Sequence, residues 1–324
     1  MNKPLTINGL MKHLRNDCDI HIHGTLQKQQ LISYGYYHGY KGYRFYKNAE
    51  SRIPYTNFSE VVSVIEYDNN MKSALYSHLM FIETAIKNIV CNTSIKGLKN
   101  ATFDYVFKER MNDNTNNTKL QSDRLKLRNN VYSKLSTQYS KEEYNENKMV
   151  RHFYMRGEDV PIWVVFEILY LGDLATFFKC LNIASREQIL KELNMLDISI
   201  DTNRNLLSEI LFSLKALRNS VAHNNIIFDA RFKDRNISGL MKKWLERETG
   251  INNITLYSLT DYIIVVCCML KHVDFTRKRA YDLLNTYRLE IQKLKTNVTA
   301  DIYDSIIQNN ITQKISSLED YLCS

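Results

Sequence analysis

Between Phe58 and Ile95 the apolar residues return at steps of three and four: Val61, Val62, Ile65, Met71, Leu75, Leu79, Ile82, Ile86 and Ile89. That spacing marks one face of an α-helix; a strand would alternate at two. Glu83 and Lys87 form an i, i+4 pair on the polar side. The rest of the chain follows the same rule. Gly (10) and Pro (3) are scarce in 324 residues, which disfavours sandwiches and barrels with many tight turns. No convincing strand pair and no internal repeat appears. The sequence predicts an all-α fold.

Further helices can be placed. "PLTINGLMKHLRND" carries apolar residues at Leu5, Ile7, Leu10, Met11 and Leu14, with Thr6 as N-cap. "PIWVVFEILYLGDLATFFKCL" starts on Pro161, is apolar almost all round and predicts one buried helix. "SREQILKELNM" and "TNRNLLSEILFSLKALRNSVAHNNIIF" follow. Four amphipathic or buried stretches fill the end: "LMKKWLERE", "YIIVVCCMLKHV", "RKRAYDLLNTYRLEIQKL" and "SIIQNNITQKISSLEDYL". Three segments result: a Tyr-rich N-terminal segment, 1–55, a helical domain, 56–238, and a C-terminal helical region, 239–324. The Asn-, Ser- and charge-rich stretch at about 108–151 reads as a polar insertion of exposed helices.

The net charge of +8 fits an anionic partner such as RNA, DNA or an acidic surface. The six cysteines make no C-x-x-C pair, so neither a zinc site nor a redox dithiol is indicated. The longest apolar run, Ile263 to Leu270, is far short of the about 20 residues of a membrane span. The N-terminus has no signal-peptide apolar core. These features read as a reducing, cytoplasmic setting without a membrane role.

Two stretches carry chemistry. "QLISYGYYHGYKGYRFYKN" packs seven aromatics between Tyr34 and Tyr46, interleaved with His38, Lys41, Arg44 and Lys47. Tyr37 and Tyr40 can stack bases while Lys41, Arg44 and Lys47 take phosphates; core packing of an N-terminal cap is the competing reading. The other stretch is "LRNSVAH", Leu217 to His223. At 100° per residue, Leu207, Ile210, Leu211, Leu214, Leu217 and Val221 share an arc about 120° wide, with Arg218 at its edge. Asn219 and His223 project to the opposite side, beside the small Ala222. Arg218 and His223 stand about 140° apart, so one copy does not easily focus both on one atom. Two such helices facing each other can, which favours a homodimer.

"LRNSVAH" resembles the R-N-x-x-A-H signature of the HEPN superfamily, helical domains that include many RNA endonucleases. Three further segments resemble the Abi_2 (AbiD/AbiF-like) abortive-infection proteins, and they come in that family's order: "ISYGYYHGYKGYRFY", "VIEYDNNMKSALYSHLMFIETAIKNIV" and "PIWVVFEILYLGDLATFF". The resemblance spans residues 1 to about 235 and leaves 240–324 without a motif. It implies a HEPN-like bundle over 56–238 and anti-phage defence through RNA cleavage. Arg218 and His223 match the catalytic pair, and Asn219 the polar residue after the Arg. The chain departs from the pattern at Asn224, where a second His often stands, and it has no Tyr just after the His.

The implied chemistry needs no cofactor and no metal. RNA supplies its own nucleophile, the 2′-OH. His223 moves protons near neutral pH, Arg218 holds the non-bridging oxygens and Asn219 orients the imidazole or donates to the phosphate. The products are 2′,3′-cyclic phosphate and 5′-OH ends. Glu167, an acid in an apolar helix, reads as a buried carboxylate bracing Arg218, or as part of the site itself. His13, His21 and His23 lack the partners of a metal cluster. A non-catalytic RNA binder, holding a small non-coding RNA, is the alternative, followed by a plain helical interaction protein.

Overall fold

The structure is a computed structural model that describes residues 5–111, 116–140, 148–233, 236–307 and 310–324. Two parts of the polar stretch, 112–115 and 141–147, therefore lie outside the described residues. The described chain is helical, with four isolated bridges and no strand. The helices are α1 (Ile7–Asp17), α2 (Gly24–Tyr34), α3 (Phe58–Ile95), α4 (Phe103–Arg110), α5 (Thr118–Ser140), α6 (Lys148–Met155), α7 (Ile162–Ile168) and α8 (Leu171–Cys180). They continue as α9 (Ile183–Glu192), α10 (Leu206–Ala222), α11 (Gly239–Thr249), α12 (Leu259–Val273), α13 (Lys278–Asn297), α14 (Ala300–Ile306) and α15 (Ile311–Cys323). A π-helical segment, Gly35–Lys41, extends α2. Among the described residues no helix is long and apolar enough to cross a membrane.

The chain forms two compact units. The first comprises Met1–Leu79, Ala216–Ile237 and Leu245–Ser324; the second comprises Met80–Lys215 and Ser238–Trp244. In the first unit α12 is buried without a gap from Leu259 to Leu270 and packs against α13 and α15. Its N-cap, Ser258, accepts the Asp261 N–H at 3.3 Å. Asp261 then does two jobs. One oxygen accepts the backbone N–H groups of Thr255 and Leu256, both at 2.9 Å, and closes the preceding loop. The other meets the buried ammonium of Lys314, from α15, at 2.6 Å. Removing one member of such a pair strands the other in a dry interior. Lys314→Ala is expected to cost about 3–5 kcal/mol of stability, read as a lower midpoint in urea; a change under about 0.5 kcal/mol, the range of ordinary surface substitutions, would refute the assignment.

In the second unit the described part of the polar stretch carries an amphipathic helix with a wet side and a buried one. α5 buries Leu127, Val131 and Leu135 and packs on α6, α7 and α8. Asp173 of α8 fixes α5 through Asn130 (2.6 Å) and Lys134 (3.4 Å). The apolar stretch from Pro161 is two helices rather than one. It breaks at Leu169 and Tyr170 because Asp173 also accepts the Tyr170 N–H at 3.0 Å and starts a new helix there. Glu83 and Lys87 pair at 3.0 Å as their spacing predicts, but Glu83 is buried instead of lying on a wet face.

Candidate active site and nucleic-acid interface

α10 ends where its sequence changes character. The last helical bond runs from the His223 N–H to the Asn219 carbonyl, 3.0 Å. Asn224 then turns left-handed, at φ 53°. Its N–H donates to the Val221 carbonyl (3.3 Å), and the Asn225 N–H donates to that of Ser220 (2.8 Å). This is a Schellman closure, and Asn tolerates its left-handed residue better than most side chains. The departure from the family pattern at Asn224 thus has a local role. Its side-chain oxygen also accepts from Lys72 at 2.6 Å.

The closure presents the three predicted residues differently. His223 is exposed at the helix tip, and Ala222 before it is exposed too. Arg218 and Asn219 are half-buried, and the Arg218 guanidinium reaches the Asn219 amide oxygen at 3.4 Å.

What holds the closure is a residue outside the sequence reading. Asp68 of α3 is fully buried. One oxygen accepts the backbone N–H groups of Ile227 (2.9 Å) and Phe228 (2.6 Å). The other accepts the Tyr43 hydroxyl at 2.7 Å and pairs with Lys72 at 3.1 Å. Burial pushes the Asp68 carboxyl above its usual range, and Lys72, Tyr43 and the Ile227 N–H pull it back. Burial and the nearby Asp68 charge hold the Tyr43 phenol far above its ordinary value, so it remains a donor.

Asp229, also fully buried, extends the tie. It pairs with Arg231 at 2.7 Å and accepts the Lys47 N–H at 2.6 Å. Arg231 donates onward to the carbonyls of Gly42 and Phe45, each at 2.9 Å. Tyr43 stacks on Phe228 with centroids 5.6 Å apart. A Cβ at Gly42 would sit 2.7 Å from Ile226 Cδ1, so a larger residue there would require the end of the Ile226 side chain to shift. The Tyr-rich segment is therefore packed directly onto the loop that follows His223.

That packing divides the residues predicted to bind RNA. Tyr40 is 2% exposed, so a base finds no free ring face there. Burial raises its phenol to about 12. Lys47 is half-buried, donates to the Tyr257 carbonyl and lies over the Tyr46 and Tyr257 rings. Burial lowers its ammonium below the usual value. Tyr40 is thus packed in the interior, and Lys47 is held at both ends, its backbone N–H on Asp229 and its ammonium on the Tyr257 carbonyl. Tyr37 and Lys41 are exposed, with the Lys41 ammonium over the Tyr37 ring at 4.9 Å.

Lys41 and Arg44 also line a cleft of about 340 Å³ with His13, Tyr36 and Arg52. The Arg44 Nε is buried there without a hydrogen-bond partner among the described residues. Arg52, which the sequence reading did not single out, donates to the Cys18 carbonyl at 2.8 Å. His13 is held between Asp17 (2.6 Å) and the Tyr36 hydroxyl (2.8 Å). Among the described residues no group of three or more His, Cys, Asp or Glu is placed to hold a metal.

Glu167 corrects a further expectation. It lies on the exposed side of α7, between exposed Trp163 and Tyr170. The five buried residues of α7 occupy the other side. An exposed carboxylate pays little desolvation, so the argument that it must brace a buried charge falls.

The comparison with curated proteins and with solved structures found no match. A model of the Abi_2 family, described as Abi-like protein, matches residues 29–229. The matched span contains all four segments that carry the resemblance and both anchors of the α10 closure, Asp68 and Asp229. The chain belongs to the Abi-like family.

Proposed function

We propose that this Abi-like protein is an abortive-infection effector that cleaves RNA without a metal ion, at the tip of α10. The observation that carries the reading is the exposed imidazole of His223, set on a helix end that Asn224, Lys72 and Asp68 hold in place. His223 takes the proton from a ribose 2′-OH as that oxygen attacks the adjacent phosphorus. The bond to the 5′ oxygen breaks, and that oxygen takes up a proton from a second imidazole or from water. Arg218 holds the non-bridging oxygens as charge builds on them, and Asn219 orients the guanidinium or the phosphate. A second copy of the chain would supply the second imidazole. The test is cleavage of end-labelled RNA in EDTA by wild type and His223→Ala, with the product ends identified.

A second reading rests on the basic cleft: the protein grips RNA, including a small non-coding RNA, without cutting it. This second reading places RNA phosphates on Lys41 and Arg52, which line the cleft. The double variant Lys41→Glu/Arg52→Glu is expected to bind single-stranded RNA less tightly, with a salt slope lower by about 1 per lost phosphate contact. Filter binding across a salt series checks this; an unchanged slope takes RNA out of the cleft.

A further inference from the structure

The second unit holds a cavity of about 470 Å³ that the reading above does not use. Its wall combines the start of α5, the junction of α8 with α9, and the turn before α10. Arg186 of α9 is the informative residue. It is 6% exposed and lines the cavity. Its Nη1 donates to the amide oxygen of Asn205 at 2.5 Å, and its Nε is buried with no hydrogen-bond partner among the described residues. Arginine is almost never buried to this degree without a paired acid. The neighbouring acid, Asp201, is engaged elsewhere: its oxygens accept the N–H groups of Asn205 and Leu206, both at 2.8 Å, at the start of α10. Burial accordingly holds the guanidinium below its ordinary value, with Asp201 pulling it back.

The surroundings add positive potential. Lys119 is exposed on the rim, and Lys179 is balanced by Asp123 at 2.8 Å. Two helix N-termini open beside the same space. Asn117 accepts the Leu120 N–H at 3.0 Å at the head of α5, and Asn182 accepts the Ser185 N–H at 2.8 Å at the head of α9. Helix N-termini favour anions, phosphate above all. The remaining wall is different. Leu120 and Ile183, the latter 49% exposed, give an apolar flank, and Asn203 gives an amide edge. A cationic end beside an apolar flank and an amide, in a space the size of one small molecule, suits a mononucleotide better than a strand, which needs an extended groove.

We propose that this cavity binds a nucleoside polyphosphate, with its phosphates against Arg186 and Lys119 and its base or sugar against Leu120 and Ile183. The site is separate from the tip of α10, and its test needs no RNA cleavage. The probe is ATP carrying a fluorescent ribose label, followed by anisotropy on the full chain in EDTA. Saturable binding is expected, with competition by unlabelled ATP and by tripolyphosphate. Lys119→Glu is expected to weaken it about tenfold or more, because it places an acid where a phosphate would lie. Arg186→Met is expected to do the same. Lys119 is exposed, so its variant decides the matter even if the buried Arg186 variant fails to fold. Lys278→Glu, an exposed lysine of the other unit, is expected to leave probe binding unchanged. No saturable binding at millimolar probe, or an affinity untouched by Lys119→Glu, overturns the proposal. So does a short single-stranded RNA that displaces the probe far more tightly than ATP and loses its own binding in Lys119→Glu, since the cavity then belongs to an RNA backbone.

Discussion

His223→Ala is expected to lower RNA cleavage about 10²–10⁴-fold, the usual contribution of a positioned general acid–base group. The fold should not feel the change. His223 is exposed beyond the last turn of α10, and among the described residues no hydrogen bond holds its ring. Its backbone bond to Asn219 survives in alanine. Stability should stay within about 0.5 kcal/mol of wild type, as for exposed substitutions generally. RNA affinity should also persist, since one exposed ring contributes little to an interaction driven by many phosphate contacts. The assay therefore separates three states of affairs. Cuts with cyclic-phosphate ends that vanish in the variant support the nuclease. Cuts that survive place the chemistry elsewhere. Binding without cutting by either protein favours the gripping role.

Asp68→Ala has the second large effect, and its target is the frame rather than the chemistry. The substitution removes the acceptor of two backbone N–H groups 159 and 160 residues away, of the Tyr43 hydroxyl and of the Lys72 ammonium. Lys72 is 6% exposed and would be left in the interior with the Asn224 amide as its one remaining partner among the described residues. A broken buried pair of this kind costs about 3–5 kcal/mol, enough to consume much of a typical domain's stability. Denaturant melts should show the loss in the first unit. Asp68→Asn keeps one acceptor oxygen for the Ile227 and Phe228 N–H groups, so it should lose less. If Asp68→Ala melts like wild type, the closure of α10 is held by something other than this carboxylate.

The same residue shows where reading a sequence stops. Asp68 stands three positions after Ile65 and three before Met71, on the apolar stripe of α3. An acid on such a stripe was a legible signal that a partner lay within the core. Its partners were not legible, because they come from positions far along the chain that only packing brings near. Glu167 is the reverse case. Its place in an apolar run suggests a buried carboxylate, yet the run folds as two helices and Glu167 lies on the exposed side of the first. Composition does not show which way a short helix is rotated. The Tyr-rich run is intermediate. The sequence leaves base stacking and core packing as competing readings of it, and does not say that Tyr40 and Lys47 pack while Tyr37 and Lys41 stay wet.

The sequence by itself determined the helical class, the span of α3, the Thr6 cap and the family, all of which rest on local spacing and side-chain chemistry. Local periodicity survives into the fold because a helix is built from bonds four residues apart. The tertiary structure alone decided the framework beneath "LRNSVAH": a left-handed Asn224, a buried Asp68 joined to residues 227 and 228, and an Arg231 that ties the Tyr-rich segment to the same loop. Those links join distant segments, and they exist only where burial removes water and leaves each polar group to find its partners within the protein.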